Sequence, residues 1–563
     1  MTSRSSHILL IPALLIGLLC CSCRPRSGDG VIDAESDSLA VRTMRRELTL
    51  DSIALAGFID QHPDYLPVAK RVSDFYAKRN YRFAWMDNEG PNDRSFSLVN
   101  LFSNALEEGI VLRSLDLSVI QSLFDELPAD TLQGYGADER TIRFELELTA
   151  NYFLMADASA VGLPVEKRRS LEWYIPSGTQ SPDVLADALS DTLSEDLLLP
   201  HPEDSLYHQL QLVLKQYRGL AKSQDWSPLG LPSESVRKGE RFDGLSEIKR
   251  RLWLLGDLSD SAFTDEYDDA LDEAVIRFRQ RHALRAEHII DSVFISCINV
   301  TPEERVRQVL VNMERCRWLP RLPQGEFILV NIPEYRLRYY SENREEWSCP
   351  VIVGKSTTRT TVISGRLNEV VFSPYWNVPK SILVKELLPE IKADPRKLSA
   401  YHLEVRTRGK QARTIPGGSI DWKRCVPEEF PYELRQTPGP WNSLGRVKFL
   451  FPNNFGIYLH DTPSKGLFAQ EQRMFSHGCV RVADPVRLAK EVLDDKYWTA
   501  GRIHEAMATG KEMSVPLRHR IPLLVVYFTC WVDASGLVHF VPDGYGHDAR
   551  LAEELFVGDS SAD

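Results

Sequence analysis

Residues 476–482 read Ser476-His477-Gly478-Cys479-Val480-Arg481-Val482, and a second histidine precedes them in Tyr458-Leu459-His460-Asp461-Thr462. A cysteine at its ordinary pKa is only a few per cent thiolate at pH 7, so a cysteine nucleophile needs a base within hydrogen-bond reach. His460 and His477 are both candidates for that base. The two segments therefore predict an activated thiol at Cys479.

The local chemistry of the first segment suits acyl transfer. If residues 476–482 are extended, side chains two apart point to one face, so His477, Cys479 and Arg481 project together. A guanidinium beside a cysteine lowers the pKa of its thiol. Gly478 lets a substrate carbonyl approach the backbone, where N–H groups can face an oxyanion. These residue types predict a thioester intermediate.

Three other interpretations fit the sequence less well. A zinc site built from His460, His477 and Cys479 lacks a fourth ligand at metal-like spacing. A papain-like peptidase would carry a glutamine and a Cys-Trp signature around the nucleophile, and both are missing. A merely structural cysteine would leave its polar neighbours costly to satisfy in a core.

The segments around the motif predict a mainly β domain over residues 321–510. Short β-rich runs begin with Phe327-Ile328-Leu329-Val330-Asn331-Ile332 and are separated by turn residues. Residues 376–440 differ, with Pro, Gly, charged residues and a helical piece near Ser381 to Lys392. They predict an inserted lid, because long loops over β scaffolds usually carry function. The insertion has 12 Lys and Arg against 8 Asp and Glu, which favours an acidic polymer or a solvated loop of mixed charge.

The flanking regions predict helices before this domain and a hairpin after it. Apolar residues at helical spacing over 46–240 indicate a helical scaffold domain. Two amphipathic stretches within 241–300 indicate a small helical module, followed by a linking helix over 301–320. Residues 511–563 predict a C-terminal β hairpin that completes the sheet, from Leu523–Phe528 and Val538–Val541.

The first residues predict export. The apolar run from Ile8 to Cys21 has 14 residues, against about 20 for a transmembrane helix, and suits a signal-peptide core within 1–23. The run ends in Cys20-Cys21-Ser22-Cys23, which resembles a bacterial lipoprotein signal with Cys23 as the lipidated residue. Residues 24–45 suit a linker. We expect a periplasmic lipoprotein on a membrane of a Gram-negative-type envelope; an ordinary cleaved signal or an uncleaved anchor are the alternatives.

Composition limits the partners and the redox chemistry. The net charge of −12 over 563 residues excludes non-specific nucleic-acid binding, which needs a basic surface. Nine cysteines are present, three of them in the signal region, and no C-x-x-C pair follows. This pattern is not a disulfide framework.

Larger blocks resemble a known family. Residues Gln436 to Phe449, Tyr458 to Pro463 and Ser476 to Val482 resemble the YkuD catalytic domain of L,D-transpeptidases, and the chain is most similar to the YcbB type. Residues 241–300 resemble the three-helix peptidoglycan-binding module, on Ile248–Leu252, Gly256 and Ala274–His282. The resemblance implies a multidomain α+β protein with a helical scaffold domain, that module, and a mainly β YkuD-like catalytic domain with an inserted lid.

The resemblance also implies roles for individual residues. Catalytic roles fall on Cys479 as nucleophile, His460 as proton acceptor and donor, Asp461 through its carbonyl, His477 and Gly478 on the oxyanion side, and Arg481 in support. Substrate contacts fall on Trp441, Asn442, Tyr458 and Ser476. The family often has glycine where this chain has Asp461, and a backbone carbonyl role survives that change. The resemblance implies no metal and no organic cofactor.

The implied reaction is a 3→3 cross-link between peptidoglycan stem peptides. Cys479 would attack a tetrapeptide stem, release D-alanine and form a thioester, which the side-chain amine of a neighbouring stem would resolve. Water in place of the amine would give an L,D-carboxypeptidase. A third interpretation, from another class, is a non-catalytic cell-wall-binding lipoprotein. The cysteine nucleophile also predicts covalent addition of a carbapenem.

Overall fold

The computed structural model describes residues 48–87, 89–112, 115–127, 138–177, 202, 205–409 and 411–556. The predicted signal peptide 1–23, the linker 24–45 and the lipidation site Cys23 lie outside these ranges. Within them, none of the helices combines the length and the apolar character needed to cross a bilayer.

The first helices build a scaffold domain. Aspartate or asparagine caps start several of them: the side chains of Asp51, Asn92, Asp116 and Asp138 each accept a hydrogen bond from an N–H of the first turn. The helices up to residue 223 are α1 (Ser52–Gln61), α2 (Ala69–Lys78), α3 (Asp93–Ser103), α4 (Leu117–Glu126), α5 (Glu139–Ala160), α6 (Val165–Ser170) and α7 (Ser205–Ser223). A short pair of strands, β1 (Met86–Asp87) and β2 (Gly90–Pro91), lies between α2 and α3.

Helix α5 is the centre of this domain. It is buried on most sides, and α1 to α4 pack around it in one apolar cluster. Its Glu145 is fully buried, where it accepts hydrogen bonds from the Trp85 N–H at 3.0 Å and the Tyr76 hydroxyl at 2.9 Å. Burial raises the pKa of Glu145 to about 7. The predicted helical scaffold is confirmed for this part of the chain.

Helix α7 belongs to a different core from α5. It packs along α11 (Pro302–Trp318), and its apolar face joins the cluster under the large sheet. Thr301 and Glu304 form a capping box at the start of α11, with Pro302 at its first position. The sequence assigns α7 to the scaffold and α11 to a linker. Because both helices are built into the core of the sheet domain, that core continues outside residues 321–510.

Residues 241–300 form three helices around a small core of their own. They are α8 (Leu245–Leu254), α9 (Asp269–Arg281) and α10 (Ser292–Ile298), beside the short strands β3 (Val236–Arg237) and β4 (Ile289–Ile290). Inside this unit Arg281 and Asp257 form a fully buried ion pair, with Arg281 Nε 2.8 Å from Asp257 Oδ1. The two amphipathic stretches predicted for this region are therefore helices.

A nine-stranded sheet forms the next domain. Its strands are β5 (Phe327–Asn331), β6 (Arg336–Ser341), β7 (Arg344–Gly354), β8 (Ile363–Phe372), β13 (Val447–Leu450), β14 (Leu459–His460), β15 (Met474–Ser476), β16 (Val480–Val482) and β17 (Met513–Val526). They lie in the order β15-β7-β16-β14-β13-β8-β17-β5-β6. Strand β6 also pairs with β7, so the hydrogen-bond ladder closes on itself as a barrel. Helices α15 (Pro485–Leu493) and α16 (Ala500–Ala508) follow β16. Helix α17 (His547–Phe556) lies in the C-terminal tail.

The C-terminal prediction needs correction. Strand β17 lies inside the sheet, antiparallel to β8 and parallel to β5. The hairpin is a separate two-stranded sheet of β18 (Cys530–Val532) and β19 (Val538–Phe540). The predicted pairing of Leu523–Phe528 with Val538–Val541 is therefore wrong, because Leu523–Val526 already has a sheet neighbour on each side.

Residues 373–446 leave the large sheet between two strands that are themselves neighbours, β8 and β13. This insertion has its own sheet and its own apolar cluster. The strands are β9 (Trp376–Asn377), β10 (Leu403–Arg406), β11 (Thr414–Ile415) and β12 (Glu433–Gln436), and they lie in the order β11-β10-β12-β9. The predicted helical piece is present as α12 (Lys380–Ile382), a π-helical turn over Leu383–Leu387 and α13 (Leu388–Ala393), with α14 (Lys397–Ala400) after it.

Candidate active site

Strand register brings four predicted residues to one face of the sheet. Strands β14 and β16 are parallel neighbours in which Leu459 pairs with Val480 and His460 with Arg481. Because alternate side chains share a face, Cys479 and Arg481 project to the same side as His460 and Tyr458. All four line a cavity of about 640 Å³ between the sheet and the insertion.

The surroundings of Cys479 favour the protonated form of its thiol. Burial raises the pKa of its thiol, against the opposing effects of hydrogen bonding from Tyr458 and the charge of Arg481. The thiol donates a hydrogen bond to the Gly456 carbonyl, at an Sγ to O distance of 3.7 Å. A protonated thiol needs a base before it can attack a carbonyl.

His460 has the properties of that base. The ring is buried, and its Nδ1–H donates to the carbonyl oxygen of Asp461 at 2.5 Å. This bond assigns the tautomer and leaves Nε2 as a proton acceptor. Burial and then the charge of Arg481 lower the pKa of His460 to about 4, so the ring is neutral at pH 7. The contact predicted for the Asp461 carbonyl is present.

The Asp461 side chain has a structural role. One carboxylate oxygen accepts the Arg446 N–H at 2.9 Å, and the other pairs with Lys465 Nζ at 2.5 Å. The carboxylate lies over Gly445, where an added Cβ would come within 2.3 Å of Asp461 Oδ2. The Asp461 side chain therefore holds the turn at Gly445 and Arg446 in place.

The Ser476 to Cys479 segment is bent, contrary to the extended prediction. Strand β15 ends at Ser476, β16 begins at Val480, and Gly478 between them has a φ of +115°. The Gly478 N–H donates to Ser476 Oγ at 3.1 Å, and that hydroxyl donates to the Cys479 carbonyl at 2.5 Å. In this conformation the Gly478 N–H is therefore not available to the predicted oxyanion.

A threonine that the sequence interpretation missed holds this bend in place. Thr360 is buried; its hydroxyl donates to the Gly478 carbonyl at 2.8 Å and accepts the Gly354 N–H at 2.9 Å. Thr358 donates to the Ser476 carbonyl at 3.1 Å. The available signal was the group of five hydroxyl residues within 356–361, interrupted only by Arg359, shortly after a predicted strand.

The His477 side chain is hydrogen-bonded to the insertion. Its Nε2 lies 2.7 Å from Glu386 Oε1, in the π-helical turn Leu383–Leu387. Both residues line the cavity that Cys479 lines. Glu386 was also missed, since no local pattern links residue 386 to residue 477.

Two predicted substrate contacts serve the loop between β12 and β13. Asn442 is fully buried; its Nδ2 donates to the carbonyls of Pro374 and Thr437, and its Oδ1 accepts the Leu444 N–H at 2.8 Å. Trp441 stacks on His402 with ring centroids 3.9 Å apart. The other two, Tyr458 and Ser476, line the cavity. The substrate contact of Trp441, which is 42% exposed, and of buried Asn442 stays a prediction.

A zinc site was one interpretation of the sequence. Among the residues with described positions, no group of three or more His, Cys, Asp or Glu side chains is arranged to hold a metal ion. The cavity is lined by the thiol of Cys479, the imidazole of His460, the guanidinium of Arg481 and the phenol of Tyr458.

Comparisons with known proteins agree with this arrangement. Residues 325–505 match the YkuD family, described as an L,D-transpeptidase catalytic domain, and residues 70–214 match a family described as a scaffold domain. A Haemophilus influenzae protein named "Putative L,D-transpeptidase" is 36% identical over 255 residues, which are 45% of this chain and 51% of that protein. The chain thus spans about half the length of this curated relative.

Two solved structures are also similar to the chain. An L,D-transpeptidase from Xylanimonas cellulosilytica is 12% identical, with 53% of this chain and 100% of that chain covered and a TM-score of 0.17. An L,D-transpeptidase from Stackebrandtia nassauensis is 11% identical, with 53% and 97% covered and a TM-score of 0.19.

Proposed function

We propose that the whole chain is a peptidoglycan L,D-transpeptidase that forms 3→3 cross-links through a thioester on Cys479, since residues 325–505 match the family of L,D-transpeptidase catalytic domains. The observation that carries the proposal is the placement of the Cys479 thiol and the neutral His460 ring on adjacent parallel strands of one cavity. This pair supplies a nucleophile and its base for acyl transfer.

In the first step, His460 Nε2 takes the proton of the Cys479 thiol. The thiolate attacks the carbonyl carbon of the third residue of a tetrapeptide stem and forms a tetrahedral intermediate. His460 then gives the proton to the departing nitrogen, so D-alanine leaves and a thioester remains. The low pKa of His460 keeps the ring ready to accept a proton, and its bond to the Asp461 carbonyl fixes the ring plane.

Tyr458 is the candidate donor to the oxyanion in this step. Burial raises the pKa of its phenol well above 10, so the hydroxyl stays protonated beside the thiol. A protonated phenol can donate a hydrogen bond to a developing negative charge. This assignment fits the structure better than the Gly478 N–H, which is bonded to Ser476.

In the second step, the side-chain amine of a neighbouring stem attacks the thioester. The insertion over residues 373–446 forms the far wall of the cavity, and its residues 376–440 correspond to the proposed lid. Residues 241–300 contribute the proposed peptidoglycan-binding module. Export, lipidation at Cys23 and a periplasmic, membrane-anchored location are parts of the same proposal and rest on the sequence of residues 1–23.

A product analysis tests the proposal. Purified protein is incubated with disaccharide tetrapeptide, and the products are weighed by mass spectrometry beside the Cys479→Ala variant. We expect cross-linked dimers that have lost one D-alanine, formed by wild type alone. A tripeptide product would show an L,D-carboxypeptidase instead. If the tetrapeptide remains unchanged, both enzymatic functions are contradicted. That result would favour a binding lipoprotein.

A further inference from the structure

The hydrogen bond between His477 and Glu386 joins the nucleophile loop to the insertion. Glu386 projects from the π-helical turn, and its Oε1 lies 2.7 Å from His477 Nε2. About a third of the His477 side chain and half of the Glu386 side chain are exposed, so the pair faces the open cavity. The next carboxylate on the insertion, Glu390, is held by Lys397 and by the Tyr401 hydroxyl.

The bond also settles which nitrogen of His477 can accept a proton. With Nε2–H donating to the Glu386 carboxylate, Nδ1 is the acceptor. His460 is arranged in the opposite sense, with Nδ1–H donating and Nε2 accepting. The cavity thus contains two imidazoles, each oriented by an oxygen acceptor that is bonded to one of its ring nitrogens.

This inference rests on the proposed function. In its second step the acceptor amine loses two protons, so two groups must accept them. The acceptor stem brings a primary amine, which has a pKa of about 10 and is an ammonium at neutral pH. An ammonium has no lone pair and cannot attack. In becoming an amide nitrogen it loses two protons, and only one of them is needed to restore the Cys479 thiol.

We propose that His477, positioned by Glu386, takes the first of these protons and so activates the acceptor amine. His477 Nδ1 removes a proton from the ammonium, and the freed lone pair forms the bond to the thioester carbon. The carbon–sulfur bond then breaks with its electron pair on Sγ. The second proton passes from nitrogen through His460 Nε2 to Sγ, and the His477 proton leaves to solvent.

In this proposal the two histidines have different roles. His460 serves the thiol in both half-reactions, while His477 acts only on the acceptor. The Glu386 carboxylate fixes the His477 ring and stabilises the imidazolium that forms, as a carboxylate does for a catalytic histidine. Glu386 is thus a positioning residue, supplied by the insertion, for the transfer step.

Separate measurement of the half-reactions tests the proposal with Glu386→Gln, which keeps the size of the side chain and removes its charge. Intact mass follows formation of the Cys479 acyl-enzyme, and its decay is then timed with a stem-type primary amine. We expect acylation within about twofold of wild type and transfer to the primary amine slowed at least tenfold. Methoxyamine, which is already neutral at pH 7, should resolve both acyl-enzymes at equal rates.

Glu429→Gln is the matched control, because Glu429 is exposed on the same insertion. It should behave as wild type in every assay. Unchanged transfer in Glu386→Gln would overturn the proposal. So would equal slowing with both amines, which indicates a displaced insertion, or a loss of acylation in this variant. Failure of wild type itself to acylate would instead reject the proposed function.

Discussion

Arg481 lies directly opposite His460 on the neighbouring parallel strand, and its positive charge disfavours protonation of the buried ring. Burial acts in the same direction, and together they lower the pKa of His460 to about 4. The cation therefore helps to keep the base in its working state.

The pH profile of acylation should depend on the charge of Arg481 beside His460. His460 must be neutral to accept a proton, so the rate should be maintained above the pKa and lost as pH falls through about 4. Arg481→Met removes the cation, raises the pKa of His460 and should move this acid limb to higher pH. Lys490→Met, a change to an exposed cation on α15, should leave the limb in place. An unshifted limb in Arg481→Met would contradict the assignment.

Removal of the base should slow acylation without unfolding the protein. General-base catalysis contributes about 100-fold to 10,000-fold, so His460→Ala should reduce the acylation rate by a factor in that range. The rate is measured by intact mass after mixing with a tetrapeptide donor. His504→Ala, at an exposed histidine on α16, is the control. A rate within a few-fold of wild type would show that another group takes the thiol proton.

A carbapenem should add covalently to Cys479. The strained lactam carbonyl presents an acyl group to the same thiol and base as the stem peptide does. Intact mass should show one adduct on wild type and none on Cys479→Ala. Cys425→Ala changes a cysteine on the insertion and should keep the adduct. An equal adduct on Cys479→Ala would place the reactive thiol elsewhere.

Thr360→Val should weaken both the fold and the site. The substitution leaves the buried Gly478 carbonyl and Gly354 N–H without the hydroxyl that pairs with them, at a cost of about 1–3 kcal/mol. Urea unfolding measures the loss of stability, and we expect acylation to slow about tenfold because the nucleophile loop shifts. The neighbouring Thr361→Val is the control. Full activity in Thr360→Val would show that the bend is held by other contacts.

The buried ion pair in residues 241–300 should matter for stability alone. Asp257→Asn leaves Arg281 charged and uncompensated in the core, which costs about 3–5 kcal/mol in the free energy of unfolding. Urea unfolding of the full chain measures this change, with the exposed Asp260→Asn as control. Acylation by a small carbapenem should continue at the wild-type rate below the unfolding transition. An unchanged unfolding curve would contradict the cost of the isolated charge.

Local sequence was enough to single out the thiol and its candidate base, but it did not predict their surroundings. Cys479 and His460 stand in short motifs, and the helical scaffold and the β runs follow from periodicity that each segment carries by itself. Glu386 and Thr360 reach the nucleophile loop only through tertiary packing, across 91 and 118 residues of sequence. No sequence pattern around Glu386 or Thr360 predicts such a contact.

The errors have related physical causes. The extended interpretation of residues 476–482 failed at Gly478, because a glycine can adopt a positive φ that reverses the direction of the chain. The tail was paired wrongly because Leu523–Val526 had suitable partners both in the distant sheet and in the next strand.

The insertion begins and ends at a single point of the sheet. The Ser373 N–H donates to the Arg446 carbonyl at 2.8 Å, one step beyond the last pairing of β8 with β13. A tight turn could join these two positions, so the barrel does not depend topologically on what lies between them. Such a junction lets a lineage lengthen, shorten or exchange the segment while the nucleophile and its base stay in register, and it offers a natural splice site for chimeric enzymes.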